Sequence, residues 1–354
     1  MNIEELDKKD GRFTMKIAEV RNIISQLRKE ELQTIIAEMY KSMPNKLIES
    51  KQIDSLLKQP SYFIEAKKAS VKTVVVPDAD DVIGEAEEFI DYAYKQYYFA
   101  PNQFVHKKDR PKWRFIAKRL YRDLQKCAQS EDSRTDVAET LGKLYQMLCY
   151  ACRYYLFSST DPFQSMGVEQ AEFLRNVIAL KRKADRSEQW IPDVVRLLIG
   201  GDVDSQTLHT ELMDVILEFT DNAPLKETLL EHCALLRKQI EDQYLAAMKL
   251  KSKRLDEYEF RSKFEKLSLL QLKCGIQLGE YDDAIQSFKE HYSKPYDEIS
   301  LYVLLEWLEH YQLRDYWVRE YQAAGNAGIV PRPGLVKKYE SILPHSSGVL
   351  GLVE

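Results

Sequence analysis

Residues that make turns are scarce in this sequence. Glycine occurs 13 times and proline 12 times in 354 residues, and the glycine share is about half of the roughly 7% found in average proteins. A sandwich or barrel with many turns needs more of both residues. Leucine, glutamate, lysine and glutamine, which favour helices, are frequent instead. The composition excludes collagen-like, disulfide-rich and low-complexity proteins and predicts an all-α fold.

Long apolar segments are also missing. No run approaches 18 uninterrupted apolar residues, so the sequence predicts no membrane-spanning helix and no membrane partner. The first 13 residues lack the apolar stretch of a signal peptide. The number of cysteines is odd, which favours reduced thiols over a disulfide framework: Cys127, Cys149, Cys152, Cys233 and Cys274. We therefore expect a cytoplasmic protein.

The net charge of the chain is small. The formal net charge is −5, which argues against a protein that coats nucleic acid over its whole surface. A local basic patch remains compatible with this balance.

Apolar residues spaced three and four apart recur along the chain. They predict roughly 15 amphipathic helices, arranged as an irregular array or solenoid of antiparallel pairs. The one strand-like run, near 71–76, ends at Pro77 and favours a short extended connector over a strand of a sheet. Breaks in the pattern predict three domains: an N-terminal helical module at 1–70, a middle helical domain at 71–190 and a C-terminal helical domain at 191–354.

The C-terminal part contains an internal repeat. Residues 264–292 and 299–324 each read as an apolar helix followed by a shorter aromatic one, and Glu280 and Asp315 lie 35 residues apart at equivalent places. Tetratricopeptide hairpins repeat every ~34 residues. The family's G-x-Y-x-x-A-x-x-x-F pattern is matched by Gly279, Tyr281, Ala284 and Phe288.

Residues 264–324 thus resemble the tetratricopeptide family. They depart from it where the family has an aromatic residue, a glycine and a small alanine; Ser268, Leu272 and Arg319 stand there. The resemblance implies stacked hairpins with a concave surface that binds a protein or peptide. The N-terminal helices also resemble short helical segments of several bacterial families, which implies no function.

Aromatic residues concentrate on the repeat. Aromatic side chains bury a large area at low entropic cost and often anchor protein interfaces. Packing between helices is the other role that the same residues commonly have. The candidate partner-binding residues are Tyr281, Tyr302, Trp307, Tyr311 and Trp317.

A basic segment occupies residues 107–126. Its composition is typical of a helix face that binds phosphates. The preceding segment, 78–91, is strongly acidic, so two neighbouring helices of opposite sign could instead neutralise each other. The candidate nucleic-acid-binding residues are Lys112, Arg114, Lys118, Arg119 and Arg122.

Signatures of catalysis are lacking. The sequence has no phosphate-binding loop, no G-x-S-x-G and no H-E-x-x-H. Cys149 and Cys152 form a C-x-x-C, but it falls in a helical pattern and favours buried thiols over a metal or redox site. Glu306 and His310 are more typical of a surface pair than of metal ligands. No cofactor and no metal are expected.

These observations support three hypotheses. The leading one is a helical scaffold or adaptor that binds a protein or peptide. The second is a nucleic-acid-binding accessory protein that uses 107–126, and the third is an enzyme with dispersed carboxylates. The apolar tail from Pro344 to Glu354 is expected to dock into its own chain, or else to offer an extended peptide to a partner. The sequence leaves the partner and the oligomeric state open.

Overall fold

The computed structural model describes residues 17–61, 77–184, 188–249, 257–292 and 294–342. These residues contain 17 α-helices, one short 3₁₀ turn at Arg110–Lys112 and no strand. The predicted all-α fold is therefore confirmed, whereas the solenoid arrangement stays a prediction. The expected connector at 71–76 and the tail at 344–354 lie outside the described residues.

The chain divides into two compact units, 1–75 and 76–354. The domain limits expected near 70 and 190 stay predictions. No helix of the described residues is long and apolar enough to cross a membrane.

Within its described residues, 17–61, the first unit contains four helices: α1 (Ile17–Gln26), α2 (Lys29–Ser42), α3 (Asn45–Lys51) and α4 (Ile53–Lys58). The α2 helix begins where the backbone amide of Arg28 donates a 2.7 Å hydrogen bond to Glu31. Gln52, with φ of 51°, separates α3 from α4. No side chain of α2 or α4 is buried.

The second unit contains thirteen helices within its described residues. The first five are α5 (Ala79–Tyr94), α6 (Trp113–Cys127), α7 (Arg134–Ala151), α8 (Pro162–Met166) and α9 (Gln170–Ala184). The others are α10 (Trp190–Gly200), α11 (His209–Phe219), α12 (Ala223–Lys249), α13 (Glu257–Leu278), α14 (Tyr281–His291), α15 (Asp297–His310), α16 (Arg314–Asn326) and α17 (Pro333–Ile342).

Two hydrophobic cores hold the second unit together. The first core extends from Val82 in α5 to Cys274 in α13, and its buried residues come from every helix between them. The second core extends from Leu272 in α13 to Leu335 in α17. The α13 helix contributes to both cores and therefore joins the C-terminal hairpins firmly to the larger core.

Candidate functional site

The first C-terminal hairpin is formed by α13 and α14. The chain reverses at Gly279, whose φ of 83° is accessible to glycine without strain. The amide of Glu280 donates to the carbonyl of Gly275 at 3.0 Å and closes the end of α13. Across the hairpin, a Cβ on Gly275 would lie 2.7 Å from the Cβ of Ala284. The glycine thus lets the two helices approach closely.

The predicted aromatic anchors lie in the second core or against it. Trp307 and Tyr311 come together, with ring centroids 6.3 Å apart. The Lys273 ammonium lies 4.4 Å from the centroid of Trp307, although Lys273 itself is fully buried. Burial raises the pKa of Tyr311 to about 12, and the charge of Asp214 adds to this effect.

The other three anchors have separate neighbours. Tyr281 packs against Tyr316 at 5.2 Å, and Tyr302 lies 3.8 Å below the guanidinium of Arg332. Trp317 is only 2% exposed. The five side chains therefore do not form one continuous face.

A groove between α14, α15 and α16 was not predicted from the sequence. Its volume is about 410 Å³, and its floor combines buried apolar side chains with small alanines. Three of its alanines cluster at the end of α16 and just after it, and this cluster was the signal of the groove in the sequence. The apolar lining residues are Phe288, Tyr292, Leu301, Leu304, Ala323, Ala324, Ala327 and Ile329.

Charged residues of both signs surround this groove. Lys289 bridges to Glu320 across the α14–α16 gap at 2.9 Å, and Arg319 donates to the same carboxylate at 3.0 Å. Glu320 is itself almost fully buried, so it depends on these two cations for its charge balance. Asp297 and Lys294 also line the groove.

A second cavity of about 430 Å³ lies beside Trp317. Its walls include Gln312, Lys338 and Ile342. The indole Nε1 of Trp317 is buried and has no hydrogen-bond partner among the described residues. One of the predicted anchors, Trp317, therefore borders a cavity.

The basic segment is partly neutralised. Arg119 of α6 makes a two-pronged ion pair with Glu85 of α5, and this pairing raises the pKa of Arg119. Lys112 pairs with Asp109 at 2.6 Å. The expected neutralisation between α5 and α6 thus occurs for Arg119.

The other candidate cations differ from one another. Lys118 donates to the carbonyl of Gly167 at 3.2 Å. Arg114 and Arg122 are exposed and make no salt bridge with the described residues. The structure therefore does not place the five predicted phosphate-binding residues in one unpaired row.

The two cysteines of the C-x-x-C lie at the end of α7. Burial raises the pKa of Cys149 to about 12, which keeps it a thiol. Gln170 donates to its sulfur at 3.3 Å and to the carbonyl of Asp202 at 3.0 Å. All five cysteines are free thiols, as expected. Among the described residues, no group of three or more His, Cys, Asp or Glu side chains could hold a metal ion.

Lys266 lies close to this buried thiol. Its ammonium donates to the carbonyl of Gly201 at 2.8 Å, and Ile199 offers a second carbonyl at 3.4 Å. Burial lowers the pKa of Lys266, and the negative charge of Asp202 offsets part of this decrease. These bonds satisfy carbonyls at the end of α10, which is a structural role.

No family model, no curated protein and no solved structure matches this chain. The tetratricopeptide resemblance therefore rests on the residues of 264–324 alone.

Proposed function

We propose that the protein is a non-catalytic adaptor that binds a peptide segment of a partner protein between α14, α15 and α16. The observation that carries this proposal is the groove of about 410 Å³ with its apolar floor and charged rim. Grooves between helices are a recurrent place for peptide recognition. The resemblance to tetratricopeptide hairpins supports the same function.

The groove fits an extended segment with one or two apolar side chains. Leu301 and Leu304 form a rigid floor, because both are buried in the second core. Ala323 and Ala327 leave room above it, because their side chains are short and exposed. An apolar side chain of the peptide would displace water from this floor, which favours binding.

The rim gives the peptide its orientation. The lining carries opposite charges on Lys294 and Asp297, and the polar backbone of an extended segment needs such partners. Lys294 also pairs with Glu265 at 2.5 Å. In this proposal, the aromatic anchors predicted from the sequence stabilise the hairpins and do not contact the peptide themselves. Rings such as Trp317, which stacks on Tyr321 at 5.4 Å, hold the hairpins rigid around the groove.

Substitution of Ala323 tests the proposal. In Ala323→Arg, a long charged side chain enters the groove from an exposed position, so binding is blocked with little loss of stability. The measurement is selection of a displayed random-peptide library on the full-length parent protein, followed by affinity measurement of the selected peptides. We expect at least a tenfold weaker Kd for Ala323→Arg, which corresponds to ~1.4 kcal/mol.

Asn326→Arg is the matched control. It adds the same side chain to the same helix at an exposed position outside the groove lining. The selected peptides should bind this variant as tightly as the parent. Enrichment of no peptide by the parent, or equal affinity for the parent and Ala323→Arg, would contradict the proposed function.

A further inference from the structure

The second unit exposes a cluster of aromatic rings where α5 and α7 end and α6 begins. We define six of these rings as the aromatic end, and each is between 42% and 62% exposed. Large exposed apolar patches on proteins commonly mark interaction surfaces. The six residues are Tyr94, Phe99, Phe104, Phe115, Tyr154 and Tyr155.

Ring contacts bring these chain segments together. Phe99 stacks on Tyr155 at 5.6 Å, which joins the segment after α5 to the segment after α7. The first residue of α6, Trp113, stacks on Phe157 at 4.0 Å. Rings that are far apart in sequence therefore share one end of the helical bundle. Phe115 lies two residues after Trp113, in the first turn of α6.

The loop between α5 and α6 is held in a fixed conformation. The side-chain amide of Asn102 donates to the carbonyls of Tyr97 and Ala100, at 2.7 and 2.8 Å. Its oxygen accepts the amides of Phe104 and Val105, at 2.9 and 2.7 Å. Because four hydrogen bonds fix this turn, the ring of Phe104 is presented before any ligand arrives, and binding costs less entropy.

Positive charge accompanies these rings. Lys107 and Lys108 follow Phe104 in the same loop, and Arg114 lies with its guanidinium 4.9 Å from the ring centroid of Phe115. All three cations are exposed, and none makes a salt bridge within the described residues.

Nearby carboxylates already have partners. Asp91 pairs with Lys95 at 2.6 Å, and Asp109 pairs with Lys112 at 2.6 Å. Glu88 lies beside the hydroxyl of Tyr92 and makes no salt bridge within the described residues. Against this one carboxylate, the three cations still give the aromatic end an excess of positive charge, although the whole chain is acidic.

We propose that the aromatic end binds single-stranded nucleic acid. Unpaired bases stack on the exposed rings, and phosphates contact Lys107, Lys108 and Arg114. A duplex is a poor ligand, because its base faces are already stacked inside the helix. This inference goes beyond the proposed function and places the nucleic-acid surface at the start of α6 rather than along its face.

Fluorescence anisotropy of the full chain tests this surface directly. The probes are labelled oligouridylate and oligothymidylate of about 20 nucleotides, longer than the ~4–16 nucleotides of a typical single-strand site. At about 50 mM salt we expect both to bind, and their relative affinity distinguishes RNA from DNA as the ligand. Inorganic polyphosphate, which has charge but no bases, should compete poorly.

Two aromatic substitutions test how much base stacking contributes to oligonucleotide affinity. Phe115→Ala with Tyr155→Ala removes two of the more exposed rings at little cost in stability, and should weaken oligonucleotide binding at least tenfold. The matched control is Tyr296→Ala, which removes a ring that is 71% exposed on the C-terminal hairpins. The control should bind as the parent does.

Charge reversal isolates the phosphate contacts. The slope of log affinity against log salt should become shallower by about 2 when three cations are reversed together, since each single-strand contact contributes ~0.7. The three changes are Lys107→Glu, Lys108→Glu and Arg114→Glu. The control reverses Lys58, Lys238 and Lys337, which gives the same net charge.

Three results would overturn the proposal. One is no binding of either oligonucleotide by the parent. A second is unchanged binding by the aromatic double variant. The third is competition by polyphosphate as strong as that by the oligonucleotides.

Discussion

Single buried polar residues were the hardest feature to predict from the sequence. In α13, the charged side chain of Lys273 is fully buried. It is held by the carbonyl of Thr210 at 3.3 Å and by an ion pair with Asp214. These partners come from α11, so tertiary contacts decide the position of Lys273 and local pattern does not.

His209 is a residue whose effect on stability should depend on pH. Burial and the nearby charge of Lys266 lower its pKa from 6.5 to about 4. The unfolded chain takes up this proton near pH 6.5, whereas the folded chain does not until about pH 4, so acidification through this window favours unfolding. The full pKa shift corresponds to a loss of about 3 kcal/mol in the free energy of unfolding. Because the ring is partly exposed, we expect a smaller loss of ~1–2 kcal/mol.

Urea denaturation between pH 7 and pH 4.5 measures this loss. The variant His209→Asn has no ring to protonate, so its free energy of unfolding should fall less steeply than that of the parent. If the free energy of unfolding falls equally with pH in the two proteins, His209 does not contribute to the pH dependence of stability.

At the scale of helices, the sequence was more informative. Spacings of three and four predicted long segments such as α12, which runs over Ala223–Lys249. The acidic and basic pattern correctly indicated the contact between α5 and α6, where Arg119 meets Glu85. The close approach of α13 and α14 could not be predicted, because it depends on how Gly275 faces Ala284 in the folded hairpin.

Substitution of Gly275 tests this approach. A Cβ there would lie 2.7 Å from that of Ala284, so Gly275→Ala must force the helices apart. Overpacking of this kind costs about 1–3 kcal/mol and exceeds the gain of ~1 kcal/mol from higher helix propensity. Thermal and urea unfolding should show a net loss of stability of about 1–2 kcal/mol.

Gly84 provides the matched control for this substitution. It lies on α5, and a Cβ at this position has no atom of the described residues within 4 Å, so Gly84→Ala should stabilise the protein by up to ~1 kcal/mol. The double variant Gly275→Ala with Ala284→Gly should recover much of the loss. A stabilising effect of Gly275→Ala alone would mean that the hairpin is looser than described.

At the scale of the whole molecule, the all-α class followed from composition and periodicity, but the groove did not. The groove exists because α14, α15 and α16 place small and apolar side chains opposite one another. The sequence pattern favoured aromatic residues such as Trp307 and Tyr311 as anchors, and the structure places both against the second core. Sequence shows which residues suit an interface, whereas helix packing decides which ones line a cavity.

Binding of a partner's peptide between the C-terminal hairpins can be measured by amide hydrogen exchange of the full chain, with and without a peptide selected on the parent protein. We expect slower exchange between Phe288 and Ile329, on the segments that line the groove, and unchanged exchange in α5–α7. Protection confined to α5–α7 or to the first unit, with none on α14–α16, would contradict this expectation.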